Sequence, residues 1–449
     1  MNIATCALCL SCEEVLFVYN IFEVNNIKLG RTISDKLDDT FCVVPFVHLS
    51  TSPLGTLRPC CFSSQEKIKK DSSDQLVNLG SETLDEIWNS EHYREIRLKM
   101  INGEKLSNCD FCYKEEKLNK RSKRNKENDR YKALKAERMT SAKSNQGKLD
   151  SPPVNLDLRL GNLCNLKCIT CNPVFSSQIE QEMNNKWPDN FFLKKEYSTI
   201  KIENGWFDSK EFKNNLSTLL PHLEFIYVSG GEPVINKSLI DFLRDSVSLG
   251  YSKKQKLRFN TNLMVLNDDF FSLLENFEEV DVSVSLDAIG DDLRVIRYPS
   301  SFDKISKNIE SMLNLKGNIK LTINCTVSLL NIFSLKDLYL WVSELSLKYK
   351  TYIHISVDLV HEPIFISLPY LEKKLKPDAL EEIISIEKLQ FLKGAALKDL
   401  LSLKDILARE PEDRVVQQKK LVEYIVILEK SRSIPIFNSL KSLIGLPRG

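Results

Sequence analysis

Between Val154 and about Leu359, short apolar runs typical of strands alternate with longer segments of helical periodicity. The predicted strands are Leu156–Leu160, Phe225–Ser229, Lys256–Asn260, Val280–Leu286, Lys320–Val327 and Tyr352–Leu359. The predicted helices lie near Val174–Met183, Lys237–Leu249, Asp268–Asn276, Phe302–Leu313 and Leu335–Leu347. Because such alternation is typical of parallel strands joined by crossover helices, it predicts an α/β fold. Strands in this number suit a partial (β/α)6 TIM-like barrel core, in which the reactive loops lie at the carboxyl ends of the strands.

The rest of the chain divides by changes in composition. We expect an irregular lead-in over residues 1–40, a small cysteine-rich module over 41–113, a basic linker over 114–152, the barrel over 153–360 and a C-terminal helical extension over 361–449. Residues 114–148 hold thirteen Lys or Arg against five Asp or Glu and almost no large apolar side chains. Such a run is either a solvated linker or a surface for RNA or an acidic peptide. Since Tyr131 is its only aromatic residue, base stacking has little support and the linker is favoured.

Composition limits the class of protein. At 449 residues the chain is long enough for two or three domains, and its net charge of +1 gives no global field toward nucleic acid or membrane. No apolar stretch is long enough to span a bilayer, and the N-terminus lacks the basic region of a secretory signal. We therefore expect a cytoplasmic protein without membrane contacts. In that reducing compartment, twelve clustered cysteines indicate metal binding rather than disulfides.

Cys164, Cys168 and Cys171 form a C-x3-C-x2-C loop directly after the first predicted strand. Three thiolates at this spacing can hold three irons of a [4Fe–4S] cluster, which usually takes four cysteines. The fourth iron is then open to a ligand that is not protein. Since an open metal position distinguishes a reactive site from a structural one, this loop predicts an enzyme site.

Together with a Gly-Gly-Glu-Pro sequence after the second strand, the cysteine loop resembles the radical S-adenosylmethionine (SAM) superfamily. The resemblance implies that the open iron binds the methionine part of SAM. It also implies that reduction of the cluster cleaves SAM to a 5′-deoxyadenosyl radical, which abstracts hydrogen from a substrate. Gly230, Gly231, Glu232 and Pro233 look like the GGEP loop of that superfamily. There the glycines let the backbone approach SAM, and the carboxylate accepts its ammonium protons.

The resemblance implies further SAM contacts at the ends of the third and fourth strands and just beyond them. The implied contacts are Asn260, Ser283, Ser285, Asp287 and Arg297. The two serines alternate along the fourth strand and so share one of its faces. Structural roles compete with these assignments, because Asn and Asp are common turn residues and an arginine at a helix end is often solvated.

The segment ahead of the barrel resembles twitch, the shortened form of the SPASM domain, which holds an auxiliary iron–sulfur cluster. Its pattern combines a G-x4-C that begins at Gly55 with a later C-x2-C pair. The implied ligands of an auxiliary [4Fe–4S] cluster are Cys42, Cys60, Cys109 and Cys112. A tetrahedral zinc site is the alternative, and Cys61 could replace Cys60 as a ligand. Cys6, Cys9 and Cys12 lack a fourth partner, so a third cluster is not favoured.

These observations predict a radical SAM enzyme with SAM, a SAM-binding [4Fe–4S] cluster and an auxiliary [4Fe–4S] cluster as its cofactors. By resemblance, the substrate is a peptide or protein, or else a small molecule, and the electron donor is a reductant such as flavodoxin or ferredoxin. The alternatives are an RNA-, nucleotide- or sugar-modifying radical SAM enzyme and a non-catalytic iron–sulfur or zinc interaction protein. Nucleic acid is not favoured as a partner.

Overall fold

The structure is a computed structural model. It describes residues 40–63, 67–72, 74–117, 121–200, 202, 205–389, 392 and 394–443. Cys6, Cys9 and Cys12, for which no third cluster was favoured, lie outside the described residues.

One eight-stranded sheet organises the chain, in the order β2-β1-β3-β4-β5-β6-β7-β8. The strands are β1 His48–Thr51, β2 Leu57–Arg58, β3 Asn155–Arg159, β4 Phe225–Ser229, β5 Lys256–Thr261, β6 Glu279–Ser285, β7 Ile319–Val327 and β8 His354–Leu359. Neighbouring strands from β3 to β8 are all parallel. The predicted α/β class and the six parallel strands of the partial barrel are therefore confirmed, with bounds that differ by at most two residues.

Helices connect these strands and surround the sheet. They are α1 Val44–Val47, α2 Leu84–Trp88, α3 Glu91–Ile101, α4 Asp110–Lys117, α5 Lys123–Arg130, α6 Lys132–Ser144, α7 Ser177–Lys186, α8 Phe192–Tyr197, α9 Lys210–Leu219, α10 Lys237–Ser248, α11 Asp268–Leu274, α12 Gly290–Ile296, α13 Phe302–Leu313, α14 Leu335–Lys348, α15 Lys376–Glu387, α16 Gly394–Leu407, α17 Arg414–Arg432 and α18 Ile436–Ser439. The seven-residue helix α12 was not predicted. Within the described residues, no helix combines the length and the apolarity needed to cross a membrane.

The cysteine-rich module is joined to the barrel through the sheet itself. Strand β1 pairs in parallel with β3, with His48 opposite Asn155 and Ser50 opposite Asp157. Strand β2 then pairs antiparallel with β1, which sets Arg58 opposite Ser50. The module therefore extends the barrel sheet by two strands. The sequence did not predict this, because strands of two and four residues are too short to show a period.

The two faces of the sheet differ in polarity. One face carries buried apolar side chains that join the core formed with the surrounding helices. The other face carries polar side chains, and a row of them is in register across four strands: Asp157, Tyr227, Arg258 and Asp281. Interiors of complete TIM barrels are packed with branched apolar residues. Here the interior, which we call the lumen, is polar, and this suits a chamber for a polar ligand rather than a packed core.

The basic segment that follows the module is helical, whereas the sequence favoured a solvated linker. It contributes the end of α4 and the helices α5 and α6, and it buries the side chains of Arg124 and Arg138. Arg124 donates to the carbonyl of Phe41 at 2.8 Å, and Arg138 donates to the carbonyl of Ser151 at 2.8 Å. Guanidinium groups that find backbone acceptors can be buried, and charge counting alone does not reveal this. Tyr131 is also buried, at the end of the barrel where the strands begin.

Candidate active site

The three loop cysteines lie between β3 and α7, at the carboxyl end of the barrel. Their loop has little regular structure, so hydrogen bonds to other elements fix its backbone. The amide of Lys167 donates to the carbonyl of Tyr298 at 2.6 Å, and the amide of Ile169 donates to that of Ile296 at 2.8 Å. Both acceptors belong to the end of α12 and the turn after it. The structure brings the three thiols together, since Cys171 lies close enough to Cys164 and Cys168 for their charges to interact.

The surroundings of these thiols fit an iron–sulfur cluster. Burial and the neighbouring Cys168 raise the pKa of Cys164 to about 12, and burial also raises the pKa of Cys171. Unliganded thiols here stay protonated, whereas a bound metal replaces the proton. Among the described residues, no three His, Cys, Asp or Glu side chains converge on a point that could hold a single metal ion. A [4Fe–4S] cluster does not need that convergence, because its cysteines bind separate irons.

The Gly230–Pro233 loop packs directly on the cysteine loop. Gly231 has φ +56°, and a Cβ at this position would lie 2.3 Å from the carbonyl oxygen of Leu163. The same carbonyl accepts a hydrogen bond from the amide of Glu232 at 2.7 Å. Only glycine permits this approach, since any side chain would collide with the backbone one residue before Cys164. The two sequence motifs therefore form one structural unit.

The carboxylate of Glu232 is buried beside this unit. It accepts hydrogen bonds from the Oγ1 of Thr261 at 2.7 Å, the amide of Asn262 at 2.7 Å and the amide of Val234 at 3.3 Å. Burial raises the pKa of Glu232 to about 7, although these hydrogen bonds oppose the shift. A carboxylate has about four lone-pair sites, so roughly one remains for a further donor.

Asp287 and Arg297 form a buried ion pair of 2.7 Å next to the cysteine loop. The other oxygen of Asp287 accepts from the amide of Thr326 at 2.9 Å, so one oxygen is ion-paired and the other is hydrogen-bonded within the protein. The Nη1 of Arg297 lies 3.9 Å from the sulfur of Cys168. Burial raises the pKa of Cys168, and the positive charge of Arg297 opposes that shift. The pair thus sets a positive charge against the cysteine loop.

The remaining predicted SAM contacts lie on the lumen face. Asn260 is in register with Ser283 across β5 and β6, and Ser285 is in register with Asn324 of β7. Sequence reasoning gave no separate role to Asn262, whose side chain donates to the Oδ1 of Asn165 in the cysteine loop at 2.7 Å. The sequence signal for that contact is the polar Asn-Thr-Asn run at residues 260–262, which spans the end of β5 and the residue after it.

A second group of cysteines lines one narrow cavity of the N-terminal module. Its members are Cys42, Cys60, Cys109 and Cys112. Burial raises the pKa of Cys42 to about 12, so these surroundings also favour a thiol unless a metal binds. The adjacent Cys61 does not line the cavity, and its sulfur lies 3.2 Å from the Nζ of Lys123. The structure therefore groups Cys60, rather than Cys61, with the other three.

Comparison with known proteins agrees with this organisation. Residues 42–113 match the SPASM family, an iron–sulfur cluster-binding domain. A probable GTP 3′,8-cyclase of Saccharolobus islandicus (strain Y.N.15.51 / Yellowstone #2) is 25% identical over 179 residues, which are 39% of this chain and 49% of the relative. The chain thus spans about half the length of the curated relative that it matches.

Similarity to solved structures is weaker. Native anSMEcpe with bound AdoMet is 16% identical, with a TM-score of 0.34 over 54% of this chain and 60% of that one. Streptococcus suis SuiB bound to precursor peptide SuiA is also 16% identical, with a TM-score of 0.36 over 73% of this chain and 71% of that one. The stronger indications are the SPASM match and the chain's own motifs. The SPASM match, together with a partial barrel whose first loop presents C-x3-C-x2-C against a Gly-Gly-Glu-Pro loop, makes this chain similar to the radical SAM superfamily.

Proposed function

We propose that this chain is an enzyme that reductively cleaves SAM at a [4Fe–4S] cluster held by Cys164, Cys168 and Cys171, and uses the radical to abstract hydrogen from a substrate in the lumen. The observation that carries the proposal is the contact between Gly231 and Leu163, which builds the cysteine loop and the glycine loop into one surface. That surface lies at the carboxyl end of a parallel barrel with a polar interior. Reactive sites of such barrels are built at this end.

When bound, the cluster would supply the electron that cleaves SAM, with its fourth iron left open for the methionine part of the molecule. The side chains around it would orient SAM. Glu232 has a lone-pair site for the ammonium group, and Arg297, whose Nη1 lies 3.9 Å from the sulfur of Cys168, would pair with the carboxylate. Gly230, Gly231 and Pro233 would shape the backbone against which the ligand lies.

We propose a different role for one of the expected SAM contacts. Asp287 was expected to contact SAM, but one of its oxygens is ion-paired with Arg297 and the other accepts from the amide of Thr326. We therefore assign to Asp287 the positioning of Arg297. Asn260, Ser283 and Ser285 stay our assignments for the polar contacts of SAM, since their registers set them on the lumen face near the carboxyl ends of β5 and β6.

For the N-terminal module we propose an auxiliary [4Fe–4S] cluster on Cys42, Cys60, Cys109 and Cys112. Their shared cavity and the match to an iron–sulfur cluster-binding family support iron over zinc. A reductant such as flavodoxin or ferredoxin would supply electrons. Because the site depends on reduced thiols, we expect it to work in the cytoplasm.

A peptide or protein is our first candidate for the substrate. A mainly apolar cleft of about 660 Å3, between Phe111 of the module and Ile364 beyond β8, supports this choice because it could admit a polypeptide segment. A nucleotide is the second candidate, supported by the name of the curated relative.

The test is anaerobic reconstitution of the wild type and of the Cys164/Cys168/Cys171→Ala variant. We expect about eight irons per chain in the wild type and about four in the variant. With dithionite and SAM, only the wild type should form 5′-deoxyadenosine. Wild type that holds its iron but forms no 5′-deoxyadenosine would refute the proposed chemistry. Loss of all iron from the variant would refute the auxiliary cluster.

A further inference from the structure

Two arginines, one from the module and one from the barrel, meet on the lumen face of the sheet. Arg58 is opposite Ser50, Ser50 is opposite Asp157, and Arg159 is the next lumen-facing residue of β3. A hydrogen bond to β1 also fixes the backbone of Arg159, whose amide donates to the Oγ1 of Thr51 at 2.9 Å. The two guanidinium groups are close enough to repel each other.

The polar atoms of these arginines are incompletely paired within the described residues. The buried Nε of Arg58 and the buried Nε of Arg159 have no hydrogen-bond partner there. The side chain of Arg159 is only 13% exposed, and its nearest carboxylate, that of Asp157, is 3.5 Å away. Buried donors without partners cost free energy, so a ligand that accepts from them would be stabilised.

The charges around the arginines favour an anion. Asp157 is the carboxylate between them, and its Oδ2 also accepts from the Oγ of Ser50 at 3.1 Å. Beyond them, the Nζ of Lys123 lies 3.2 Å from the sulfur of Cys61. The two guanidinium groups thus share the carboxylate of Asp157. Like charges at low exposure are costly unless an opposite charge joins them.

The position of the pair between the two cysteine sites indicates what that anion belongs to. A Cβ on Gly230 would lie 3.2 Å from the Cβ of Arg159, so Arg159 adjoins the glycine loop. Arg58 is two residues before Cys60 of the module. A ligand held by both arginines would therefore lie in the lumen, within reach of the proposed site of hydrogen abstraction.

We propose that Arg58 and Arg159 bind an oxyanion, either a carboxylate or a phosphate, of the substrate in the lumen. This inference rests on the proposed function and adds the chemical class of the substrate. Arginine suits the task because its planar donors match the oxygens of both groups in pairs. An acidic side chain of a peptide and the phosphate of a nucleotide are the two sources of this chemistry.

Equilibrium binding to the reconstituted full chain, followed by calorimetry, tests the site with two probes, inorganic phosphate and N-acetylglutamate. We expect Arg58→Gln and Arg159→Gln each to lower the affinity for the preferred probe, the one that the wild type binds more tightly, at least about tenfold. The matched control is Arg244→Gln, which removes an exposed arginine paired with Asp241 and should leave binding unchanged. The probe that binds more tightly identifies the source of the oxyanion, and Arg-dependent binding of either probe supports the site.

A gain of affinity guards against variants that merely misfold. Asp157→Asn removes the carboxylate that competes for the arginines, and it should raise the affinity for the preferred probe severalfold. The proposal is overturned if neither arginine variant changes the affinity for either probe, if Asp157→Asn weakens it, or if SAM displaces the probe. In the last case the arginines would hold the cosubstrate.

The proposed function can fail separately. Wild type without 5′-deoxyadenosine formation, but with arginine-dependent probe binding, would remove the radical chemistry and keep the oxyanion site. If the wild type forms 5′-deoxyadenosine but binds both probes independently of the arginines, the radical chemistry stands and the oxyanion site is refuted.

Discussion

Glu182 and Arg432 form an ion pair of 2.9 Å in which neither side chain is exposed to solvent, although 250 residues separate them along the chain. Glu182 belongs to α7, the helix that follows the cysteine loop, and Arg432 ends α17 of the C-terminal extension. The Oγ of Ser431 also donates to Glu182, at 3.0 Å. The C-terminal extension is therefore bound through this buried ion pair to α7, the helix that directly follows the cysteine loop.

A second contact joins helix α17 to the cysteine loop itself. The hydroxyl of Tyr424 donates to the carbonyl of Ile169, between Cys168 and Cys171, at 3.0 Å. On its other side the loop is tied to Ile296 and Tyr298. The loop also has internal hydrogen bonds, such as that from the amide of Cys171 to the carbonyl of Cys168 at 3.1 Å, and the external contacts add to these in holding the three thiols in position. We infer that the extension stabilises the cysteine loop.

Arg432→Met should destabilise the fold by about 3 kcal/mol, because it leaves the buried Glu182 with only the more distant Lys167, 3.7 Å away, as a counter-charge. Urea unfolding monitored by circular dichroism measures this change. The matched control is Arg244→Met, whose exposed pair with Asp241 should contribute no more than about 1 kcal/mol. Equal effects of the two substitutions would contradict a special role for the buried pair.

Tyr424→Phe should raise the rate at which a chelator removes iron from the core site, and lower the unfolding free energy by about 1 to 3 kcal/mol. The physical reason is that the buried carbonyl of Ile169 loses its donor. Tyr349→Phe is the control, because it loses a hydroxyl hydrogen bond of 2.9 Å to Glu310, away from the loop. Should both variants lose iron at the same rate, the extension does not support the loop.

Sequence reasoning found the elements with long, regular patterns. Strand β4 and helix α13 were predicted at their observed bounds, because the apolar run in Phe225–Ser229 and the helical spacing in Phe302–Leu313 are each continuous. The cysteine loop and the Gly-Gly-Glu-Pro loop were found as separate motifs. Their mutual contact was not, because nothing in the sequence shows that the carbonyl of Leu163 approaches Gly231.

What the sequence could not show depends on pairings between distant residues. The module strand β1 joins β3 across more than a hundred residues, as in the hydrogen bond between Ser50 and Asp157. The burial of Arg124 and Arg138 depends on carbonyls that only the fold brings near. Charge counting predicted a solvated run there, since it treats every arginine as exposed.

His48 should make the protein less stable in acid. Burial and the positive charge of Lys123 lower the pKa of His48 to about 4, whereas the unfolded chain titrates near its ordinary value of 6.5. Between these values the unfolded state binds more protons, so the unfolding free energy falls as pH falls from 6.5 toward 4. The loss is roughly 2 kcal/mol between pH 7 and pH 5.

Urea unfolding gives the unfolding free energies of the wild type and of His48→Gln at pH 7 and at pH 5. The loss due to His48 is the change, between the two pH values, in the free-energy difference between the two proteins. His361→Gln, at an exposed position beyond β8, controls for the loss of a histidine. If the wild type and His48→Gln differ in unfolding free energy by the same amount at pH 5 and at pH 7, that result would show that His48 is not held in the neutral form.

Gly231→Ala should abolish the core site while leaving the module intact. The new Cβ would lie 2.3 Å from the carbonyl oxygen of Leu163, which is too close for any contact, so the cysteine loop must move. We expect about four irons per chain, as in the module alone, and 5′-deoxyadenosine formation reduced about 100-fold or more. The matched control is Gly250→Ala. Gly250 also has a positive φ, of +78°, but no atom lies within 4 Å of its added Cβ, so that variant bears only backbone strain of about 1 kcal/mol and should keep all its iron. If both variants keep about eight irons and full activity, the contact between the glycine loop and the cysteine loop does not build the site.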